Sequence, residues 1–146
     1  MERILVGMDL RQSSLEGVQR AIQLATRIDA TVSILLVSGS ADPHTQQDLL
    51  QQLEHSVRRR LELLVEMGRA DGVEANLYVT QGDYREEVIR FTQQNHITHV
   101  VLGLPRGGQQ AADEFQEWLA GIRHRINCRI ELVQEKSGQA QEEPRG

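Results

Sequence analysis

An aspartate and a group of glycines at the ends of two apolar runs carry the clearest chemical signal in this sequence. Asp9 ends the run "RILVGMD", and Gly103 ends the run "THVVLG". Arg106, Gly107 and Gly108 follow the second run, and a polar helical pattern begins there. Glycines between a strand and a helix leave backbone N–H groups open at the positive end of the helix dipole, where anions bind. The joint therefore predicts a small-anion site, and a tight turn without a ligand is the alternative interpretation.

Asp9 also has two interpretations that the sequence does not separate. A carboxylate at the end of a strand can accept hydrogen bonds from nearby backbone amides, which is a purely structural role. It can equally contact a ligand, because the carboxyl ends of parallel strands are where α/β sheets bind ligands. Both interpretations remain open at this point.

Other chemistry is not indicated by the remaining polar residues. His96 and His99 are three residues apart, but they flank a helix exit and a strand start, so we do not expect them to share a metal ion. Cys128 is the sole cysteine, which excludes an intrachain disulfide and a cysteine-based zinc cluster. The G-x-S-x-G signature of a nucleophile elbow does not occur. We therefore predict a protein without enzymatic activity and without a metal site.

Length and composition limit the remaining classes of protein. The chain has 146 residues, which suit one domain with a single core, and its formal net charge of -5 disfavours nucleic acid as a partner. It lacks a signal-peptide pattern and a run of the ~18 apolar residues that span a membrane, so we expect a cytoplasmic protein without membrane insertion. Residues 1–134 are predicted to form the domain. Residues 135–146 lose apolar periodicity and are predicted to be a disordered tail.

Five apolar segments predict the strands of the fold. Residues 3–9, 31–37 and 98–103 are nearly continuous apolar runs, which are typical of parallel strands covered on both faces. Residues 73–80 and 128–132 alternate between apolar and polar side chains, which is typical of strands at the edges of a sheet. With right-handed crossovers, these segments predict one doubly wound, five-stranded parallel sheet of order 3-2-1-4-5 with helices on both faces.

Helical patterns separate these five segments. Ser13 and Glu16 form a capping box that predicts the first helix just after Asp9. A second helix is predicted from about residue 45 to residue 67, and "DG" at residues 71–72 follows it. A third follows "QGDY", and a fourth runs through Phe115 and ends near Asn127.

Two stretches of the chain together resemble the universal stress protein family. They are "ILVGMDLRQSS" and "GDYREEVIRFTQQNHITHVVLGLPRGG". That family's pattern is a strand ending in Asp, a Ser opening the first helix, "GD" before the third helix, and a strand ending in Gly at a glycine-rich turn. The positions that match are Asp9, Ser14, Gly82, Asp83 and Gly103. The likeness covers residues 1 to about 133, almost the whole predicted domain.

The resemblance implies a fold, an assembly and a ligand class. The fold is the adenine nucleotide alpha hydrolase-like, Rossmann-like arrangement, the assembly is a homodimer, and the role is regulatory, in the stress response. In one subgroup, ATP is bound by G-x-x-G-x9-G-S/T, in which backbone amides and a hydroxyl hold the phosphates. The resemblance places Asp9 beside the adenine and ribose of AMP or ATP, with backbone groups near Val37 also contacting the base.

The sequence departs from that motif after Gly103. Arg106 stands at the second glycine position, and counting nine residues onward gives Gln116 and Glu117 in place of Gly and Ser or Thr. A guanidinium attracts phosphate, but the Arg106 side chain fills space that glycine leaves for close backbone approach. A carboxylate at Glu117 removes a donor and repels a polyanion. We expect ATP to bind weakly or not at all, while the two glycines after Arg106 leave a site for AMP, ADP or another small anion.

Three functions fit this sequence to different degrees. The first is a homodimeric regulatory module that pairs through the edge of the fifth strand and acts on protein partners that the sequence does not name. The second is a genuine adenine nucleotide-binding member of the family. The third is a phosphoacceptor receiver domain, which needs an acidic cluster and a lysine near the fifth strand. The only lysine is Lys136, in the predicted tail, so we set this function aside.

Overall fold

Strands and helices alternate along the whole of the described chain. The computed structural model describes residues 1–9, 15–39, 53, 55–104 and 107–134. In these ranges the strands are β1 (Glu2–Asp9), β2 (Ala30–Ser38), β3 (Ala75–Gln81), β4 (His99–Gly103) and β5 (Arg129–Val133). The helices are α1 (Glu16–Ile28), α2 (His55–Ala70), α3 (Tyr84–Gln94) and α4 (Gly108–Ile122).

The five strands form one parallel sheet in the order β3-β2-β1-β4-β5, which confirms the predicted topology. β1 and β2 pair along their full length, from Glu2 opposite Ala30 to Asp9 opposite Val37. The two segments predicted as edges, β3 and β5, are the edges. The doubly wound arrangement follows because the chain leaves the central β1 toward β3 and later crosses to β4 on the other side.

Two apolar clusters sandwich the sheet, one on each face. Successive strand residues point to opposite faces, so β1 contributes Ile4, Val6 and Met8 to one cluster and Leu5 to the other. The first cluster is completed by side chains of α1 and α2, and the second by side chains of α3 and α4. The near-continuous apolar runs of the central strands therefore reflect burial on both faces, as the sequence predicted.

Several predicted helix ends differ from the structure. Ser13, Ser14, residues 45–52 and the predicted tail, 135–146, lie outside the described residues. Leu15 occupies the N-cap of α1 and makes no side-chain capping bond. α2 extends to Ala70, three residues beyond the predicted end, before the turn at Gly72.

The fourth helix ends earlier than the sequence predicted. α4 ends at Ile122 rather than near Asn127. The following residues form a hydrogen-bonded turn, in which the N–H groups of Arg125 and Ile126 both donate to the carbonyl of Ile122. Ile126 keeps the four-residue apolar spacing from Ile122 within this turn, which explains why the apolar pattern predicted a longer helix.

A close approach between β1 and α3 fixes how α3 lies on the sheet. The Tyr84 hydroxyl donates a hydrogen bond to the carbonyl of Gly7 at 3.1 Å. A Cβ on Gly7 would lie 2.9 Å from Cγ2 of Val88 and 3.0 Å from the Tyr84 hydroxyl oxygen. Only glycine at this position lets α3 pack so near the strand.

We expect Gly7→Ala to destabilise the protein, because the added methyl overlaps Val88 and Tyr84. The cost is about 1–3 kcal/mol, as for other overpacked cores, measured as the free energy of unfolding in urea. Gly121→Ala is the matched control, because an added Cβ there meets no atom within 4 Å. It should leave stability unchanged or raise it by up to about 1 kcal/mol. Equal stability of the two variants would contradict the packing argument.

The thiol of Cys128 should lose its proton at a higher pH than an exposed cysteine does. Burial raises the pKa of Cys128 above its ordinary value, because desolvation disfavours the thiolate. Alkylation of the native protein should therefore require a higher pH than alkylation of the urea-unfolded chain, whose thiol has a pKa of about 8.5. Above that pH the unfolded state releases a proton that the native state keeps, so the free energy of unfolding should fall as pH rises. Cys128→Ser should lose this part of the pH dependence.

Candidate functional site

The sheet opens between β1 and β4 at the carboxyl ends of these two strands. Their register pairs end at Val6 opposite Val101. β1 continues to Asp9 while paired with β2, and β4 continues to Gly103 while paired with β5. The crossovers leave these neighbouring strands in opposite directions, so this is the switch point of the sheet. The space outside the two strand ends, called the crevice below, is where doubly wound sheets bind ligands. Asp9 and Gly103 are the last residues of the two strands that flank it.

Asp9 and Val37 lie on the same side of this crevice. They are opposite each other in the β1–β2 register. The Val37 side chain is buried in the cluster under α3 and α4, with 1% of its surface exposed, whereas Asp9 is half-buried. Val37 is paired on both sides, with Asp9 of β1 and with Thr80 of β3, so its backbone is also enclosed in the sheet. The backbone contact to a base that the resemblance implied near Val37 stays a prediction.

The start of α4 forms the other side of the candidate site. Gly107 is the N-cap, with φ of 115°, and Gly108 is the first helical residue, with φ of 84°. Both values lie in the left-handed region that favours glycine, so these two residues are required by backbone conformation. Gly107 offers no side chain to cap the first N–H groups, and the first turn contains no acidic residue. This helix end is suited to an anion by its dipole and its N–H groups. Arg106 lies outside the described residues.

The predicted place of Glu117 is wrong. Counting from Gly103 placed this carboxylate at the phosphates, but α4 already begins at Gly108. Glu117 is thus an exposed residue inside the helix, about 14 Å along its axis from the first residue. The connection between β4 and α4 is residues 104–107, so the two positions counted from Gly103, Gln116 and Glu117, both fall inside α4.

The sequence placed Gly82 and Asp83 just before the third helix but did not predict the contacts that hold the start of α3 beside the crevice. The Asp83 carboxylate caps α3 by accepting from the N–H of Glu86 at 3.0 Å, and the N–H of Gly82 donates to the carbonyl of Ser38 at 2.9 Å. Glu87 is buried, where its carboxylate accepts from the Thr80 hydroxyl at 3.1 Å. The pattern D-x-x-E at residues 83–86 is a capping signature, and it could have predicted the role of Asp83 as the cap of this helix.

Glu87 and two further contacts keep α3 in place. An ion pair with Arg90, at 2.9 Å, balances the buried Glu87 carboxylate. Arg125, just after α4, binds both carboxylate oxygens of Glu86, at 3.1 and 3.2 Å, and Arg85 lies over the Trp118 ring. The two helices that cover one face of the sheet are therefore tied to each other by charged side chains as well as by the core.

The described residues also bear on metal binding and on membrane insertion. Among those residues, no three of His, Cys, Asp and Glu are grouped closely enough to hold a metal ion. In the same part of the chain, no helix has both the length and the apolar character needed to cross a membrane.

Comparison with known proteins identifies the family. The sequence model of the universal stress protein family matches residues 1–119. That match spans most of the chain, including β1, the start of α3 and the joint after β4. The chain belongs to the universal stress protein family.

Solved structures share the fold at low sequence identity. A universal stress protein in complex with cAMP has a TM-score of 0.64 and 18% identity, over 91% of this chain and 96% of that one. An Archaeoglobus fulgidus universal stress protein in complex with dAMP has a TM-score of 0.61 and 12% identity, over 91% and 98%. An Arabidopsis thaliana family protein with AMP bound has a TM-score of 0.55 and 13% identity, over 94% of each chain. A comparison with curated protein sequences finds no significant match.

Loss of the Asp83 cap should loosen the start of α3. Asp83→Ala removes the acceptor for the Glu86 N–H, and we expect it to lower the free energy of unfolding by about 1 kcal/mol. Asp83→Asn keeps a side-chain oxygen at the same place and should cost little. Hydrogen exchange of the Glu86 amide checks the mechanism, because it should speed up in the alanine variant only. Equal exchange in both variants would show that the cap does not protect this amide.

Proposed function

We propose that this chain is a regulatory member of the universal stress protein family, without enzymatic activity, whose nucleotide site no longer holds ATP tightly. The observation that carries the proposal is the short connection of residues 104–107 between β4 and α4. A triphosphate needs donors along its whole length, and here one helix end supplies them in place of a long loop. The role then depends on contacts with other proteins rather than on chemistry at the crevice.

A small adenine nucleotide is the alternative ligand. The uncapped α4 start and the half-buried Asp9 suit one phosphate and one ribose, and the structural neighbours include proteins with AMP, dAMP and cAMP. A site built on one helix end gains nothing from the β- and γ-phosphates. We therefore propose that, where a nucleotide binds, AMP binds at least as well as ATP.

Thermal unfolding with each nucleotide separates these alternatives. A ligand at one hundred times its dissociation constant stabilises a protein by about 2.7 kcal/mol. With millimolar ATP and magnesium we expect a far smaller effect, and with AMP an effect equal to or larger than that of ATP. Asp9→Ala is the control, because it should abolish any stabilisation that arises in the crevice.

Tight ATP binding would overturn the proposal. A stabilisation of that size with ATP, larger than with AMP and lost in Asp9→Ala, would identify a genuine ATP-binding member. A stabilisation that persists in Asp9→Ala would place the nucleotide outside the crevice.

We further propose that the chain is a homodimer through the β5 edge. β5 is a five-residue strand that pairs with β4 on one side only in the described chain. Leu132 on this strand is 38% exposed. Pairing with a second copy would satisfy the outward N–H and C=O groups and cover this side chain. Native mass spectrometry tests the dimer, and a monomer at micromolar concentration would contradict it.

A further inference from the structure

The outer edge of β5 presents backbone groups from alternate residues only. The N–H of Arg129 donates to the carbonyl of Thr98 at 2.9 Å, so the backbone of Arg129 points toward β4. Because this direction alternates along a strand, Glu131 also points toward β4, whereas Ile130 and Leu132 point outward. A second strand can hydrogen-bond only to these outward groups.

The side chains of β5 divide in the same alternating way. Glu131 lies on the α1 side of the sheet, where its carboxylate accepts a hydrogen bond from Nε of Arg20, and alternation places Arg129 on that side too. Ile130 packs against the cluster under α3 and α4, and Leu132 follows it on that face. One face of the edge is therefore charged, with both signs present, and the other is apolar.

We propose that two copies pair as antiparallel β5 strands with Ile130 opposite the partner's Ile130. This register rests on the β5-edge dimer proposed above. It places Arg129 opposite the partner's Glu131, and Cys128 opposite the partner's Leu132. Each dimer then has two cross-strand ion pairs on one face and a continuous apolar row on the other.

Hydrogen-bond geometry and charge select this register. In an antiparallel pair, outward-pointing residues form the hydrogen-bonded positions, and the residues between them face each other at the closest Cα spacing, about 4.5 Å. With Ile130 at the centre, Arg129 and the partner's Glu131 occupy those closest positions, where opposite charges attract. Arg20 lies beside the same carboxylate, so each Glu131 lies between two guanidinium groups.

The neighbouring registers lose these contacts. A centre at Glu131 places two carboxylates directly opposite each other at the closest spacing, which is unfavourable. A centre at Leu132 places Glu131 opposite the partner's Val133 and Ile130 opposite the partner's Gln134. That register has no ion pair and sets an apolar side chain against an amide.

A disulfide between subunits tests the register. Cys128 directly precedes β5. If the proposed ladder continues by this one residue, Leu132→Cys brings the introduced thiol opposite the partner's Cys128, at a Cα separation of about 5.5 Å that a disulfide can span. Mild oxidation with copper phenanthroline should give a covalent dimer on a non-reducing gel. Mass spectrometry should show the peptide with Cys128 joined to the peptide with the introduced thiol. The wild type and the double variant Cys128→Ser/Leu132→Cys should give no such dimer.

Other crosslinking patterns would overturn the proposed register. A covalent dimer of Gln134→Cys, with none of Leu132→Cys, would indicate a centre at Glu131. A covalent dimer of the double variant would indicate a centre at Leu132. Native mass spectrometry distinguishes the two proposals, because a monomeric wild type contradicts the β5-edge dimer itself, whereas a dimer without the expected disulfide contradicts the register alone.

Charge reversal gives an independent measurement. Arg129→Glu places a carboxylate opposite the partner's Glu131, so the dimer dissociation constant should rise at least tenfold, and more at low salt. Arg59→Glu changes the same charge on an exposed part of α2, far along the chain from β5, and should leave dissociation nearly unchanged. Equal effects of the two reversals would show that the loss comes from net charge and would contradict the cross-strand pair.

Discussion

The separation of β1 from β4 at their carboxyl ends is the constraint on which the candidate site depends. β1 is the centre of the sheet, with β2 on one side and β4 on the other. The crossover that follows β1 leads toward β2, whereas the one that follows β4 leads away from it toward β5, so the two diverge. That divergence opens the crevice whatever side chains line it. The topology therefore gives Asp9 and the glycines after β4 a shared location at the ends of neighbouring strands.

The same central strand also determines how tightly the second helical layer packs. Gly7 lets the Tyr84 hydroxyl reach the backbone of β1, two residues before Asp9. Asp83 and the buried Glu87 then fix the first turn of α3, and Arg125 joins that turn to the chain after α4. The candidate site is thus bordered on one side by a hydrogen-bonded start of α3 and on the other by the joint between β4 and α4.

Apolar patterning was sufficient to predict the sheet. A strand buried on both faces has a continuous apolar run, and a strand buried on one face alternates between apolar and polar residues. The patterning was insufficient for the helix ends, since Ile126 keeps helical spacing inside a turn that follows α4. Counting nine residues along the motif placed Glu117 wrongly for a related reason. Such a count assumes that a loop continues after Gly103 as far as Glu117, but α4 already begins at Gly108. The Tyr84–Gly7 contact joins residues far apart in the chain and left no local signal.

The early start of α4 also limits how this chain can change over generations. Point mutation can replace a side chain at residues 104–107, but it cannot lengthen the path between the strand and the helix. Only an insertion lengthens this connection, and an insertion would have to leave the packed α4 undisturbed. The length of this connection is therefore harder to change by single mutations than the side chains on the outer surfaces of the protein.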